Sequence, residues 1–443
     1  MSNAPLNSIL VDWRRALHEY PELGFTEYVT TYRVGKELEA LGFTVFLGKE
    51  ALSSESRKGV PRESILHKQE QAAREWGVEE EWLNAMKGGH TGLVATWETG
   101  RPGPHKAFRF DIDALPINET KDPSHIPFHK GFHSKVDGVM HACGHDGHTA
   151  IGVALAHFIS REQDALSGKL TLLFQPAEEG GRGAKAMTDQ GWLHNVDEFY
   201  TGHIGIHSMP VGTVGASVKG FLASSKMNVT YKGRSAHAGM KPEEGRNALL
   251  AAATASTQLY AIPRHSGGAS RVNVGRLEAG SGRNVIADHG YLELETRGEN
   301  HEVHCFVHDE ATRMIRSVAD LYDVSCEIDE VGETSSFSCS EEAVEWIKEW
   351  GRDSPVIEEI IPVVSVSGSE DASFMVNEVK GHDGIATYML FGTPLAAGHH
   401  HPSFDFDEGA LAVALDMYIT IAKGGTGDAK VARRNVTTIE SND

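Results

Sequence analysis

Cysteine is scarce in this chain. There are four in 443 residues, at positions 143, 305, 326 and 339, and their spacing forms no framework. A disulfide-stapled secreted fold is therefore not expected, and Cys143 is a better candidate for metal or catalytic work than for a bridge. Long apolar runs are absent too: none approaches the roughly 20 residues that a membrane span needs. The start, MSNAPLNSIL, has no basic-then-apolar pattern, so a reducing cytoplasm is the expected setting. Positive charge is in deficit, with 41 Lys+Arg against 62 Asp+Glu and a formal net charge of −21. Such a surface repels phosphate backbones, which argues against nucleic acid as a partner.

What the chain does have is an ordinary globular balance, 40 % hydrophobic and 23 % charged, enough to fill a large core. The length suggests two or three domains. From Thr91 onward, strand patterns alternate with helix patterns. Leu93–Thr96, Ala107–Asp113, Lys169–Phe174 and Phe199–Gly202 read as strands, and Gly144–Ser160 and Lys185–Trp192 as helices. That alternation predicts an α/β fold with a sheet sandwiched by helices. Residues 217–332 read differently. Strand 225–231, helix 243–261, strands 270–277 and 284–297, helix 304–322 and strand 325–330 follow one another. The order β-α-β-β-α-β is that of a small ferredoxin-like sheet, inserted between 1–216 and 333–443. Before it, residues 49–90 form a charged helical excursion. After it, a strand over 360–366, a strand over 387–391 and a helix over 411–422 resume the first pattern. From about Gly424 the chain is polar, and disorder is expected.

The densest chemistry lies in Met140-His141-Ala142-Cys143-Gly144-His145-Asp146-Gly147-His148. A thiolate beside imidazoles is the usual environment of a zinc- or manganese-class metal. The competing view is a histidine-rich helix start whose side chains serve as caps. Other strand ends decide between them. Asp111 and Asp113, Glu178 and Glu179, His203, Glu370 and Asp371, and His399 to His401 all follow strands. In an open α/β sheet those ends share one crevice, so carboxylates, imidazoles and a thiolate converge there. Glu178 and Glu179 are adjacent, and neighbours in extended chain point opposite ways. One carboxylate can then ligate a metal while the other moves a proton.

The motifs resemble those of the aminoacylase/carboxypeptidase-G type dinuclear metallopeptidases, in the amidohydrolase branch. The resemblance is carried by Arg14-Arg15-Ala16-Leu17-His18, Asp111-Ile112-Asp113-Ala114-Leu115-Pro116, His141-Ala142-Cys143-Gly144-His145-Asp146-Gly147-His148 and Gln175-Pro176-Ala177-Glu178-Glu179-Gly180. Further on it is carried by Gly233-Arg234-Ser235-Ala236-His237, Gly282-Arg283-Asn284-Val285, Gly368-Ser369-Glu370-Asp371 and His400-His401-Pro402-Ser403-Phe404. It implies two divalent ions, Mn2+ or Zn2+, held by Cys143, His145, Glu179, His203 and His400, with His207 the alternative to His203. It gives Glu178 the general-base role. His141, His148, His399 and His401 would support the site without ligating. Residues 1–216 with 333–443 would be the catalytic domain, and 217–332 a dimerisation and lid domain. That domain would lend His237 across a homodimer to polarise the scissile carbonyl, with Arg283 and Asn284 on the substrate carboxylate. A homologous second subunit is the other possible partner. The implied activity is hydrolysis of N-acyl amino acids with an acidic amine half, p-aminobenzoyl-glutamate first and indole-3-acetyl-aspartate as the alternative. The competing functions are a dipeptidase and a non-catalytic metal-binding partner subunit.

Overall fold

The structure is a computed structural model, and it describes residues 4–424. The tail expected to be disordered lies outside the described residues. Leu170 to Phe174 is nearly unbroken apolar sequence, the signature of a strand covered on both faces. It forms part of strand Lys169–Gln175 inside an eight-stranded sheet. Across that sheet the strands run Thr44–Leu47, Leu93–Glu98, Lys169–Gln175, His105–Asp111, Glu198–Ser208, Ile385–Thr393, Thr213–Gly215 and Glu359–Ile361. Lys169–Gln175, His105–Asp111, Glu198–Ser208 and Ile385–Thr393 are mutually parallel, so their carboxyl ends share one edge.

Successive residues serve opposite faces. Phe108, Phe110, Leu172 and Phe174 join helices Ala4–Glu19, His145–Arg161 and Gly409–Lys423 in one core. Ala107 and Leu173 join Ala184–Asp189 and Ala372–Gly381 in the other. Each fully buried Leu or Phe contributes about 1.5–3 kcal/mol. Helix His145–Arg161 approaches the sheet closely because it carries Gly152. A Cβ there would stand 2.6 Å from Phe110 and 2.7 Å from Phe174.

A second sheet of four strands has the order Ser325–Thr334, Ala223–Lys232, His289–Gly298, Ser270–Ala279, all antiparallel. Met227, Val229, Tyr231, Leu292 and Leu294 bury one face beneath helices Ala248–Leu259 and His301–Tyr322. This is the ferredoxin-like β-α-β-β-α-β arrangement, and the α/β class expected of the rest is also found. The opposite, polar face carries Lys226, Asn228 and Thr230 and borders a cleft.

Three local expectations are corrected. The strand expected over 360–366 is two strands, Glu359–Ile361 and Val364–Gly368, in different sheets. Pro362 lies between them and cannot donate to a ladder. The helix expected over 243–261 is shortened to Ala248–Leu259, where the Asn247 side chain accepts from Leu250 N at 3.1 Å and caps it. The helix expected over 185–192 ends at Asp189. The charged excursion is more than a solvated insertion. Its helices Glu63–Glu75 and Glu80–Ala85 bury Trp82, Leu83 and Ala73 against Tyr28. Ahead of them, Lys58 pairs with Glu330 and Glu333 of the small sheet at 2.7 and 2.9 Å.

Candidate metal centre

The four parallel strands deliver their polar ends to one place. Asp111 closes the first, and its carboxylate accepts from His148 Nδ1 at 2.6 Å and from Arg109 Nη1 at 2.8 Å. Asp113 follows, and its backbone carbonyl accepts from His145 Nδ1 at 2.9 Å. That bond aims His145 Nε2 the other way, toward Asp111 at 3.8 Å and Glu178 at 3.9 Å. After Gln175 the chain turns sharply at Ala177, a non-glycine residue at φ 51°. Such a conformation persists only where the surroundings hold it. Here Glu27 accepts from Ala177 N at 2.9 Å, and Asp113 accepts from Glu179 N at 2.9 Å. The turn thereby presents both Glu178 and Glu179 to the crevice.

Cys143 precedes Gly144, whose left-handed backbone (φ 86°) starts helix His145–Arg161. Cys143 Sγ lies 3.4 Å from His203 Nε2 and 3.4 Å from His399 Nδ1. The ring of His203 is fixed by Nδ1, which donates to the Ile204 carbonyl at 2.9 Å. His400 Nε2 lies 3.4 Å from Glu179 Oε1. The potential donor atoms of Cys143, Glu179 and His400 fall within 4.8 Å of one another, as do those of His145, Glu178 and Glu179.

Whether a metal fits can be judged from unmet needs. Among buried side-chain atoms, His145 Nε2 and Glu179 Oε1 have no hydrogen-bond partner. Buried polar atoms without a hydrogen bond are costly, and these two both face the cluster, with His400 Nε2 at 3.4 Å from Glu179 Oε1. With a thiol, imidazoles and carboxylates in one cluster, the donor set suits a borderline divalent ion. Burial, and next the charge of Glu179, push the Cys143 thiol well above its ordinary range. A bound cation would reverse that, since a coordinating thiol is deprotonated. Burial, and then the charges of Glu370, Glu179 and Asp371, hold the Glu178 carboxyl well above the usual carboxylate range.

The expected residues divide as follows. The structure brings together Cys143, His145, Glu178, Glu179, His203 and His400. His207, the alternative to His203, is exposed and bonds the Ser365 carbonyl at 3.0 Å. His148 is engaged at both nitrogens, since Nε2 accepts from Ile204 N at 2.9 Å. His399 comes as close to Cys143 as His203 does, which spacing within a His-His-His run could not reveal. His237, Arg283 and Asn284 sit together, joined by a bridge between His237 and Val285 and by Ala238 N donating to the Asn284 carbonyl at 3.0 Å. All three are exposed, and none lines the cavity over Cys143 and Glu178. Within one chain they do not join the cluster.

Asp146 plays a part the sequence did not disclose. It does not cap its helix. Its carboxylate instead accepts from His18 Nδ1 at 2.9 Å and Arg14 Nε at 3.3 Å, tying the cluster to helix Ala4–Glu19. His18 Nε2 meets Glu119 at 3.0 Å. Burial pulls the His18 ring down, but Asp146 and Glu119 outweigh it and push it up from 6.5 to about 9. A group raised in the folded state stabilises fully below its unfolded value and loses that contribution as pH rises through the folded one. We therefore expect about 3 kcal/mol of stability to fade between pH 6.5 and pH 9. Denaturant midpoints of the wild type and His18→Gln at both pH values check this. The same pH dependence in both proteins would contradict it.

A sheet edge that gathers a thiol, imidazoles and paired carboxylates, with buried donor atoms unmet, defines a metal-dependent hydrolase. The chain belongs to peptidase family M20/M25/M40, whose model matches residues 107–424. It is 47 % identical over 408 residues to an indole-3-acetyl-aspartic acid hydrolase of Enterobacter agglomerans, covering 92 % of this chain and 93 % of that protein. It is 46 % identical to a p-aminobenzoyl-glutamate hydrolase subunit of Escherichia coli K12, with the same coverage. The solved aminobenzoyl-glutamate utilization protein of Klebsiella pneumoniae superposes with a TM-score of 0.82 at 38 % identity, over 95 % of this chain and 96 % of that one. A dinuclear metal-binding M20 peptidase of Bacillus subtilis superposes at 0.66 with 25 % identity, over 95 % and 98 %. Among the described residues no helix is long and apolar enough to cross a membrane.

Proposed function

We propose that this protein hydrolyses the amide bond of N-acyl amino acids whose amine half is acidic, p-aminobenzoyl-glutamate above all, with indole-3-acetyl-aspartate the alternative. The carrying observation is the turn at Ala177. It sets Glu179 beside His400 and leaves Glu178 near His145, so one carboxylate can ligate while the other moves a proton. Cys143, His145, Glu179, His203 and His400 would hold two divalent ions, Mn2+ or Zn2+. When bound, such ions polarise a carbonyl and lower the pKa of a water molecule. Glu178 takes the proton of the attacking water and returns it to the leaving amine.

Residues 1–216 with 333–443 form the catalytic part in this proposal, and 217–332 the lid and dimerisation part. His237, Arg283 and Asn284 stand away from the cluster of their own chain. A second copy, or a homologous partner protein, would supply them: the imidazole to the developing oxyanion, and Arg283 and Asn284 to the substrate α-carboxylate. Four free cysteines suit a cytoplasmic setting.

The test is a substrate panel with added Mn2+ or Zn2+: p-aminobenzoyl-glutamate, indole-3-acetyl-aspartate, hippurate and Gly-Glu. Turnover of the first or second is expected. Activity confined to Gly-Glu would make the protein a dipeptidase, and none on any substrate would favour a non-catalytic metal-binding role.

A further inference from the structure

The cavity over the cluster, about 420 Å3, has two cationic residues in its wall that hydrolysis does not use, Lys226 and Arg297. They stand on neighbouring strands of the small sheet, Ala223–Lys232 and His289–Gly298, on its polar face. The strand register sets Lys226 opposite Glu295 and Arg297 opposite Ser224. Arg297 is already occupied. It holds both carboxylate oxygens of Glu295, at 2.9 and 3.0 Å, and donates to Ser369 Oγ at 3.3 Å. Glu295 is thereby taken up as well.

Lys226 is different. Among the described residues its ammonium makes neither a hydrogen bond nor an ion pair. It is half-buried, and it borders both the cavity over Cys143 and a larger cleft of about 1090 Å3 that reaches Glu179 and His400. Burial lowers its hold on the proton, and the nearby charges of Glu178 and Glu179 only partly offset this. An ammonium withdrawn from water without a counter-ion is unfavourable until an anion meets it. Glu178 and Glu179 do not serve, since neither lies within ion-pair distance and both are assigned to the metal and the proton. Divalent ions in the cluster would add positive charge nearby and sharpen the need.

We propose that Lys226 is a specificity-determining residue that receives the side-chain carboxylate of a glutamate- or aspartate-type leaving group. This assignment rests on the hydrolase activity proposed above. An acidic amino acid brings two carboxylates to the site and calls for two cationic receivers. Arg283 with Asn284 is one, for the α-carboxylate, and Lys226 is the other. Arg297, braced between Glu295 and Ser369, holds the wall in which Lys226 stands.

The experiment compares p-aminobenzoyl-glutamate with p-aminobenzoyl-glutamine, which share acyl group and chain length and differ in charge. Wild type, Lys226→Met and Lys226→Arg are assayed with Mn2+. Losing a charge-assisted contact should lower kcat/KM of Lys226→Met for the glutamate conjugate by about 10- to 100-fold, mainly through KM. The glutamine conjugate should change little, and Lys226→Arg should recover most of the loss. Calorimetry with free L-glutamate and L-glutamine on the same metal-loaded proteins needs no turnover. If wild type hydrolyses neither conjugate, the hydrolase proposal fails by itself. The Lys226 assignment then stands only if Lys226→Met loses glutamate binding and keeps that of glutamine. A glutamate-to-glutamine preference unchanged in Lys226→Met, in rates or in binding, overturns the assignment.

Discussion

Glu178→Gln should retain the fold and the metal content of the wild type while kcat falls by about 10²- to 10⁴-fold, the range for loss of a positioned general base. Glutamine keeps the side chain's shape and cannot carry the proton. KM should change little, because Glu178 is assigned to proton movement and not to holding substrate. Burial and the charges of Glu370, Glu179 and Asp371 hold the carboxyl above its ordinary range, bound divalent ions would draw it back down, and the low-pH limb of the wild-type rate profile should report this carboxyl. The proton-accepting form is the carboxylate, so the rate rises with pH through that limb and levels above it. In Glu178→Gln the limb should vanish. Metal analysis and a pH–rate profile on both proteins settle the point. Turnover within tenfold of wild type would remove Glu178 from the mechanism.

The largest effect on stability is expected at Arg109. Its guanidinium is wholly buried, donating to Gln175 at 2.7 Å and Asp111 at 2.8 Å, and to Glu370 and Asp371 at 3.2 and 3.3 Å. Asp371 in turn accepts from Gly183 N and Ala184 N at 3.2 and 3.0 Å, just beyond the Glu178–Glu179 turn. Arg109→Met would leave three carboxylates buried without their cation. Removing one partner of such a network costs about 3–5 kcal/mol. Burial, and next the charge of Glu370, already raise the Asp371 carboxyl to about 7 against the pull of Arg109. In the variant it should become protonated at neutral pH. A denaturant series on wild type and Arg109→Met measures the loss, and a change under about 1 kcal/mol would show the network to be dispensable.

Arg109 also shows where sequence reading stops. In Ala107-Phe108-Arg109-Phe110 it looks like one polar residue in an apolar strand. Only Asp111 is near in sequence; Gln175, Glu370 and Asp371 come from distant strands and loops, and nothing local announces them. Elements with a strong period were legible: the central strands, helix His145–Arg161 and the order of the six elements of the small sheet, although its first helix starts at Ala248 and its third strand at His289 rather than at 243 and 284. So was the cluster itself, because each ligand-type residue follows a strand that points to the same edge. The brace from Glu27 to Ala177 was not legible, since it joins a helix start to a turn 150 positions away. Nor was the role of His399. Adjacent residues in a three-histidine run differ only in backbone twist, and His400 is the one at φ 61°. Lys226 sits in an alternating strand where a lysine ordinarily faces water. Its isolation appears only when the small sheet lies over the cluster.

The place of Ile385–Thr393 in the large sheet has a consequence in time. It lies between Glu198–Ser208 and Thr213–Gly215, although the chain reaches Ile385 only 177 residues after Ser208 and 170 after Gly215. At ribosomal speed that gap lasts roughly 9–35 s. During it the strand bearing His203 has an open edge, a template for wrong pairing. The thiol of Cys143 meanwhile waits for histidines not yet made. Under the proposed ligand set, metal loading would wait for His400, and a nascent chain stalled in that interval exposes the Cys143 thiol and an unpaired strand together.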